Sequence, residues 1–192
     1  MAQRMIKREH LIQQLADVSV KRGTFTLASG RTSNIYVDAR LTTMSPQGLS
    51  IIGALALQEM KDAGWLVDSV GGLTLGADPV AYAIAYASAD STHPIRAFTV
   101  RKKPKEHGTG KLIEGPFYPG DHVAIIEDVI TTGDSARRAI DEVKHAGGLI
   151  EGVLAVLDRE EGGRMTIEDQ GYRVLALCTL KEVVTSRKTS SS

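Results

Sequence analysis

The sequence predicts an α/β protein, an open parallel-sheet sandwich with helices on both faces, and three observations lead there. Apolar runs such as "VAII" (123–126) and "VLAVL" (153–157) are short, continuous and uncharged, as a strand buried on both faces requires. Stretches with helical spacing and glycine stops separate them. The 192 residues, 42% of them hydrophobic, carry no internal repeat and no linker, which fits a single domain over 1–192 with a core of its own.

Taken in order, Leu11, Leu15 and Val18, with Ile12 beside them, recur at helical spacing and predict an amphipathic first helix ending before Gly23. "FTLASGRTSNIYVDAR" reads as two short extended segments, around Phe25 and around Ile35 to Val37, joined by a turn at Ser29-Gly30. Ser45 before Pro46 is an N-cap with proline at the first helical position, and Gly64 closes that helix. Strand "VDSVGG" and a helix from Pro79 follow, then strand "IRAFTV", a basic loop, strand "VAIIE" and a helix from about Ser135 to Ala146. After the Gly147-Gly148 stop come strand "VLAVLD", a short helix, strand "YRVLAL" and a terminal helix, with a polar tail, "TSRKTSSS", expected to be disordered from about residue 186.

Charge and composition narrow the function. Twenty-three basic and 23 acidic residues cancel, and the pI of about 7.0 is far from the basic balance of a nucleic-acid-binding domain. The single cysteine, Cys178, sits in the apolar run "VLALC" and reads as a buried thiol in a reducing compartment. "MAQRMIKREHLIQQL" has no uninterrupted apolar core of a signal peptide, and the lightly charged stretch from Val70 to Ala89 is broken by glycines, Asp78 and Pro79. A cytoplasmic protein with no membrane and no nucleic-acid partner is expected. His93, His122 and His145 read as ordinary surface or satisfied polar residues.

In a parallel sandwich, ligands gather beyond the carboxyl ends of the strands. The most informative such place is "VAIIEDVITTGDS", Val123 to Ser135, where an apolar strand runs into Glu127 and Asp128 and then into a small polar turn opening a helix. The turn is a phosphate seat, because first-turn N–H groups lack intrahelical partners and carry the positive end of the helix dipole. It is no Walker A loop, since no Gly-Lys-Ser/Thr follows. Two carboxylates would repel a phosphate, so they must face another part of the same ligand. Sugar hydroxyls suit them, at about 1.5 to 3 kcal/mol per charged hydrogen bond. The charge argument therefore asks for a sugar phosphate.

The stretch resembles the 5-phosphoribosyl-1-pyrophosphate (PRPP) motif of the type I phosphoribosyltransferases. That resemblance implies that Glu127 and Asp128 hold the ribose hydroxyls while Val129, Ile130, Thr131, Thr132, Gly133, Asp134 and Ser135 form the 5-phosphate loop. "GGLTLGADPVAYA", a plain strand-to-helix turn on its own, is similar to the family's pyrophosphate loop, in which Leu73, Thr74, Leu75 and Gly76 would offer backbone N–H groups to the leaving group. "RKKPKEHGTGKLIEG" packs Arg101, Lys102, Lys103, Lys105, His107 and Lys111 into eleven positions, a density that needs an anion or water. Its Pro104, Gly108 and Gly110 argue for a mobile lid. It resembles the catalytic loop of the orotate phosphoribosyltransferases, with Arg101, Lys102, Lys105 and His107 at positions that contact PRPP; Lys105, Lys102 and Asp128 are the catalytic candidates.

In "LDREEGG", Arg159 is a planar two-point donor suited to a carboxylate, although an arginine at a strand end is usually a surface ion-pair partner. In the orotate family an arginine there binds orotate, as does the threonine matching Thr131. The segment from about 20 to 45 resembles that family's hood. Many members carry lysine where this chain has Ala28, and some carry another near Gly76, which places more weight on Lys102, Lys103 and Lys105. The resemblance covers about Leu11 to Leu177. It implies a type I phosphoribosyltransferase fold, transfer of the phosphoribosyl group from PRPP to orotate in pyrimidine (UMP) synthesis, and Mg²⁺ held mainly by PRPP and water with no protein side chain as ligand. It also implies a homodimer whose sites are shared. The alternatives are a transferase for another base and a regulator that keeps the PRPP site.

Overall fold

A computed structural model describes residues 2–26, 32–103 and 112–189. The expectations for Ala28, the Ser29-Gly30 turn, Pro104, Lys105, His107, Gly108, Gly110 and Lys111 lie outside the described residues, as do 190–192.

The chain opens with α1 (Ala2–Gln14), whose last turn widens into a π-helical turn over Leu15–Ser19. That turn corrects the first-helix reading. Leu11 and Leu15 are fully buried as their spacing predicts, but Val18 is 45% exposed, because the wider turn breaks the 3.6-residue period before reaching it. Next, β1 (Val20–Thr26) and β2 (Thr32–Val37) pair antiparallel as a sheet of their own, with Val20 opposite Val37. A one-turn helix, α2 (Arg40–Thr43), leads to α3 (Pro46–Asp62). The start of α3 is fixed as its sequence predicts: the Gly48 N–H donates to Ser45 Oγ at 3.0 Å, and Pro46 needs no partner at the first position.

The main sheet comprises β3 (Ser69–Leu73), β4 (Arg96–Val100), β5 (Ile113–Glu114), β6 (His122–Ile130), β7 (Leu149–Asp158) and β8 (Val174–Thr179), in the order β5-β4-β3-β6-β7-β8. All neighbours are parallel except β4 and β5, an antiparallel pair with Val100 opposite Ile113. The basic segment is thus the connection of a hairpin, and the short return strand was not anticipated. The helices between strands are α4 (Ala77–Ala87), α5 (Asp134–His145) and α6 (Gly163–Glu168), with α7 (Leu180–Thr189) last. α4 begins two residues before Pro79, so Asp78 lies in its first turn. The tail is also corrected: residues 186–189 continue α7, where Val183 is buried and the Ser186 hydroxyl donates to Gln13 Oε1 at 2.8 Å.

Alternate residues of the central strands serve two cores. Ile126, Leu154 and Leu177 pack with Leu11, Ile52 and Ile84 on one face, whereas Ile125 and Val153 pack with Ile140, Val143 and Ile167 on the other. Burial on both faces explains the unalternating apolar runs. Cys178 is buried, its thiol donates to the Val156 carbonyl at 3.1 Å, and burial pushes its pKa up to about 12, which leaves it unreactive.

Candidate active site

The acid pair sits within β6 rather than after it. The ladder with β7 continues past Glu127, opposite Ala155, to Ile130, opposite Asp158, so the strand runs four residues beyond the "VAII" core. This placement buries Glu127, which is 7% exposed, and its Oε1 has no hydrogen-bond partner among the described residues. It is no solvated strand end. Burial, reinforced by the charge of Asp128, raises the Glu127 pKa from its ordinary 4.5 to about 8. Asp128 is also raised, chiefly by burial, while the Val129 N–H, at 2.9 Å from Oδ1, and the nearby Arg40 guanidinium work against that rise.

Beyond the strand, Thr131 and Thr132 lead into Gly133, whose φ of +86° is a left-handed value that glycine accepts readily. α5 begins immediately after, so its first N–H groups face the hollow left by the turn. Glu127 and residues 129–136 line a cavity of about 90 Å³ there, small enough for a single phosphate-sized group. The Thr132 hydroxyl donates to Asp134 Oδ2 at 2.8 Å and holds the turn in shape.

Neighbouring strand ends deliver the other candidates. The loop after β3 places Leu75 and Gly76 beside the acid pair, and Gly76 is in contact with the Asp128 carboxylate. Thr74 is a correction, since its N–H donates to the Val100 carbonyl at 2.8 Å and its hydroxyl donates to Asp78 Oδ2 at 2.7 Å. It shapes the loop, and its N–H is committed to β4. Asp78, in the first turn of α4, is 7% exposed and also accepts from the Thr99 hydroxyl at 2.9 Å, which ties the loop to β4.

After β4, the Arg101 N–H donates to the Leu112 carbonyl at 2.8 Å and closes the hairpin. Arg101 Nη1 lies 3.7 Å from Glu114, and Arg138 donates to the Lys102 carbonyl. After β7, the Arg159 N–H donates to the Ile130 carbonyl at 3.0 Å, which places Arg159 next to Thr131. The Arg159 side chain is only 9% exposed, and Nε and Nη2 both donate to Glu161 Oε1, at 2.9 and 2.7 Å. Both fork nitrogens are thus held by one oxygen of an internal carboxylate, the ion-pair arrangement an arginine at a strand end commonly adopts. Asp38 and Arg40, which the sequence did not flag, stand near Asp128 as an ion pair with Arg40 Nε 2.8 Å from Asp38 Oδ1. An Asp-x-Arg pair at a helix start is the one local signal that marks them.

Mg²⁺ fits this donor set, since Glu127 and Asp128 offer hard carboxylate oxygens, one of them unpartnered, that can reach the ion through water or substrate hydroxyls. Among the described residues no group of three or more His, Cys, Asp and Glu is placed to hold a metal, and no helix is long and apolar enough to cross a membrane.

No family model matches the chain. Solved structures resemble it closely. An orotate phosphoribosyltransferase from Mycobacterium tuberculosis H37Rv, in complex with Fe(III) dicitrate, superposes with a TM-score of 0.82 at 41% identity, covering 92% of this chain and 98% of that one. The same protein in complex with PRPP gives 0.78 at 39%, with 92% and 98% covered. An adenine phosphoribosyltransferase from Saccharomyces cerevisiae shares the fold alone, at 18% identity and a TM-score of 0.65, covering 88% of this chain and 98% of its own. The architecture is that of the phosphoribosyltransferases. Among curated relatives, the orotate phosphoribosyltransferase of Aquifex aeolicus is 44% identical over 183 residues, 94% of this chain and 99% of its own, and that of Pyrococcus abyssi is 40% identical over 92% and 94%. The chain belongs to the orotate phosphoribosyltransferase family.

Proposed function

We propose that the protein transfers the 5-phosphoribosyl group from PRPP to orotate, giving orotidine 5-monophosphate and pyrophosphate. The observation that carries this reading is the acid pair, with Glu127 buried and one of its carboxylate oxygens unpartnered among the described residues, beside the N-terminus of α5. A sugar phosphate completes both halves of that arrangement at once. The 5-phosphate takes the N–H groups of residues 131–135, and Glu127 and Asp128 accept from the ribose hydroxyls.

Breaking the C1–O bond builds positive charge on the ribose and negative charge on the departing pyrophosphate, so stabilising the leaving group is the protein's main task. Leu75 and Gly76 present N–H groups to it, and Arg101, Lys102, Lys105 and His107 close over it and exclude water. Mg²⁺ bound with the pyrophosphate supplies further charge neutralisation. Arg159 holds the orotate carboxylate by its planar fork, with Thr131 beside the base. Arg159 argues against a transferase for a neutral base.

Residues 1–192 act as one phosphoribosyltransferase domain, with a hood over about 20–45, in the cytoplasm. The working form is a homodimer in which the segment from Arg101 crosses into the partner's site, a reading supported by family resemblance and by the commonness of two-fold dimers. Refolding Lys105→Ala together with Asp128→Asn should then restore about a quarter of parental activity, since half of randomly assorted dimers are hybrids with one intact site. No recovery in confirmed hybrids would place each segment over its own site. The function itself is tested by following orotate absorbance with PRPP and Mg²⁺. Loss of orotate that requires PRPP supports it; transfer to uracil or a purine with orotate untouched overturns it.

A further inference from the structure

The loop after β3 and the acid pair of β6 come from distant parts of the chain and meet at one glycine. A Cβ built on Gly76 would stand 2.5 Å from Asp128 Oδ1, 2.7 Å from Cγ and 2.8 Å from Oδ2, all far inside van der Waals contact. The backbone does not demand glycine: Gly76 has φ −62° and ψ −43°, right-handed helical values open to any residue. At such angles alanine is ordinarily the more stabilising choice. Space alone requires the bare Cα.

Neither side of the contact is free to retreat. Asp128 Oδ1 accepts from the Val129 N–H at 2.9 Å. The loop is held by the Thr74 N–H on Val100 and by Asp78, which takes both the Thr74 and Thr99 hydroxyls, at 2.7 and 2.9 Å. A methyl group at position 76 would therefore move the carboxylate, the loop, or both.

We propose that Gly76 is a positioning residue for the ribose seat: its missing side chain fixes where the Asp128 carboxylate stands and couples the pyrophosphate loop to the group that holds the ribose hydroxyls. The proposal rests on the PRPP reading of the site and extends it. Its effect travels through Asp128, so it vanishes when that carboxylate is gone. Arg159 lies beyond a different strand and is not involved.

A double-mutant cycle tests this, with PRPP dissociation constants measured by calorimetry in the absence of orotate. Gly76→Ala should weaken PRPP binding by about tenfold in the parent and by less than about twofold in an Asp128→Ala background, while orotate KM at saturating PRPP stays unchanged. Equal fold-losses in the two backgrounds would overturn the proposal, as would a Gly76→Ala variant that binds PRPP like the parent. If Gly76→Ala alone does not fold, the cycle is read by thermal melting: recovery of folding with Asp128→Ala supports the contact, and failure in both backgrounds overturns it. A parent that binds no PRPP would overturn the reading of the site itself.

Discussion

The two ends of the main sheet differ in how they treat a buried carboxylate. At the amino ends of the strands, carboxylates are paired by the protein. Glu151, beside the start of β7, accepts from Arg173 at 3.0 Å and lies 2.7 Å from His122 Nδ1, and Arg173 in turn stacks over Trp65. Asp121, before β6, takes Arg96 at 2.7 Å on one oxygen and the Tyr118 N–H at 3.1 Å on the other. At the carboxyl ends, Glu127 is more deeply buried than Glu151 yet has an oxygen without a partner among the described residues. Burying a carboxylate without partners is costly, and folding alone gives no reason to keep one. The difference singles out Glu127, since its carboxyl-end neighbours Asp78 and Glu161 are paired like those at the amino end, as the carboxylate that a ligand rather than the fold would satisfy.

Asp128→Asn gives the largest expected effect, because it removes an ionised acceptor while preserving shape. Loss of about 1.5 to 3 kcal/mol corresponds to roughly ten- to 150-fold in PRPP affinity or in turnover at limiting PRPP, with little change in melting temperature. A variant as active as the parent under limiting PRPP would remove the ribose from this end. Arg159→Lys comes next. It keeps the charge and loses the fork, so orotate KM should rise by roughly tenfold while PRPP KM moves by less than about twofold. Equal changes for both substrates would place Arg159 away from the base. Glu151→Gln is the counterpart at the opposite end, costing about 1 kcal/mol of stability, or roughly 2 to 4 °C in Tm for a chain of this size, with kinetic constants unchanged. A kinetic defect there, in a variant that still folds, would break the division between the ends.

Much of this arrangement is legible in the sequence, for physical reasons that differ by element. The apolar runs of β6 and β7, the Ser45 cap and the acid pair before a glycine turn depend on neighbours in the chain, so local pattern carries them. β5 is two residues long and exists only because Thr99 and Val100 lie opposite it, which no period reveals. The π-helical turn at Leu15–Ser19 shifts Val18 to the surface through a hydrogen-bond choice that spacing does not encode. Asp78, Arg40 and the Gly76–Asp128 contact are products of chain crossings between distant segments. Thr74 was placed in the right loop, but its N–H is spent on β4.

The account's central claim is that Glu127 waits for the ribose. Its pKa of about 8 means that the folded protein holds a proton that the unfolded chain releases near 4.5, so stability falls as pH rises between those values. PRPP needs the ionised carboxylate, so binding should expel that proton and strengthen as pH rises toward and beyond 8. The direct measurement is calorimetric titration of PRPP into the protein at pH 7.5, in buffers of different ionisation enthalpy, for the parent and for Glu127→Gln. The account predicts more proton release by the parent than by the variant, with the difference vanishing at pH values well above 8. The same proton count in both proteins at pH 7.5 would contradict it.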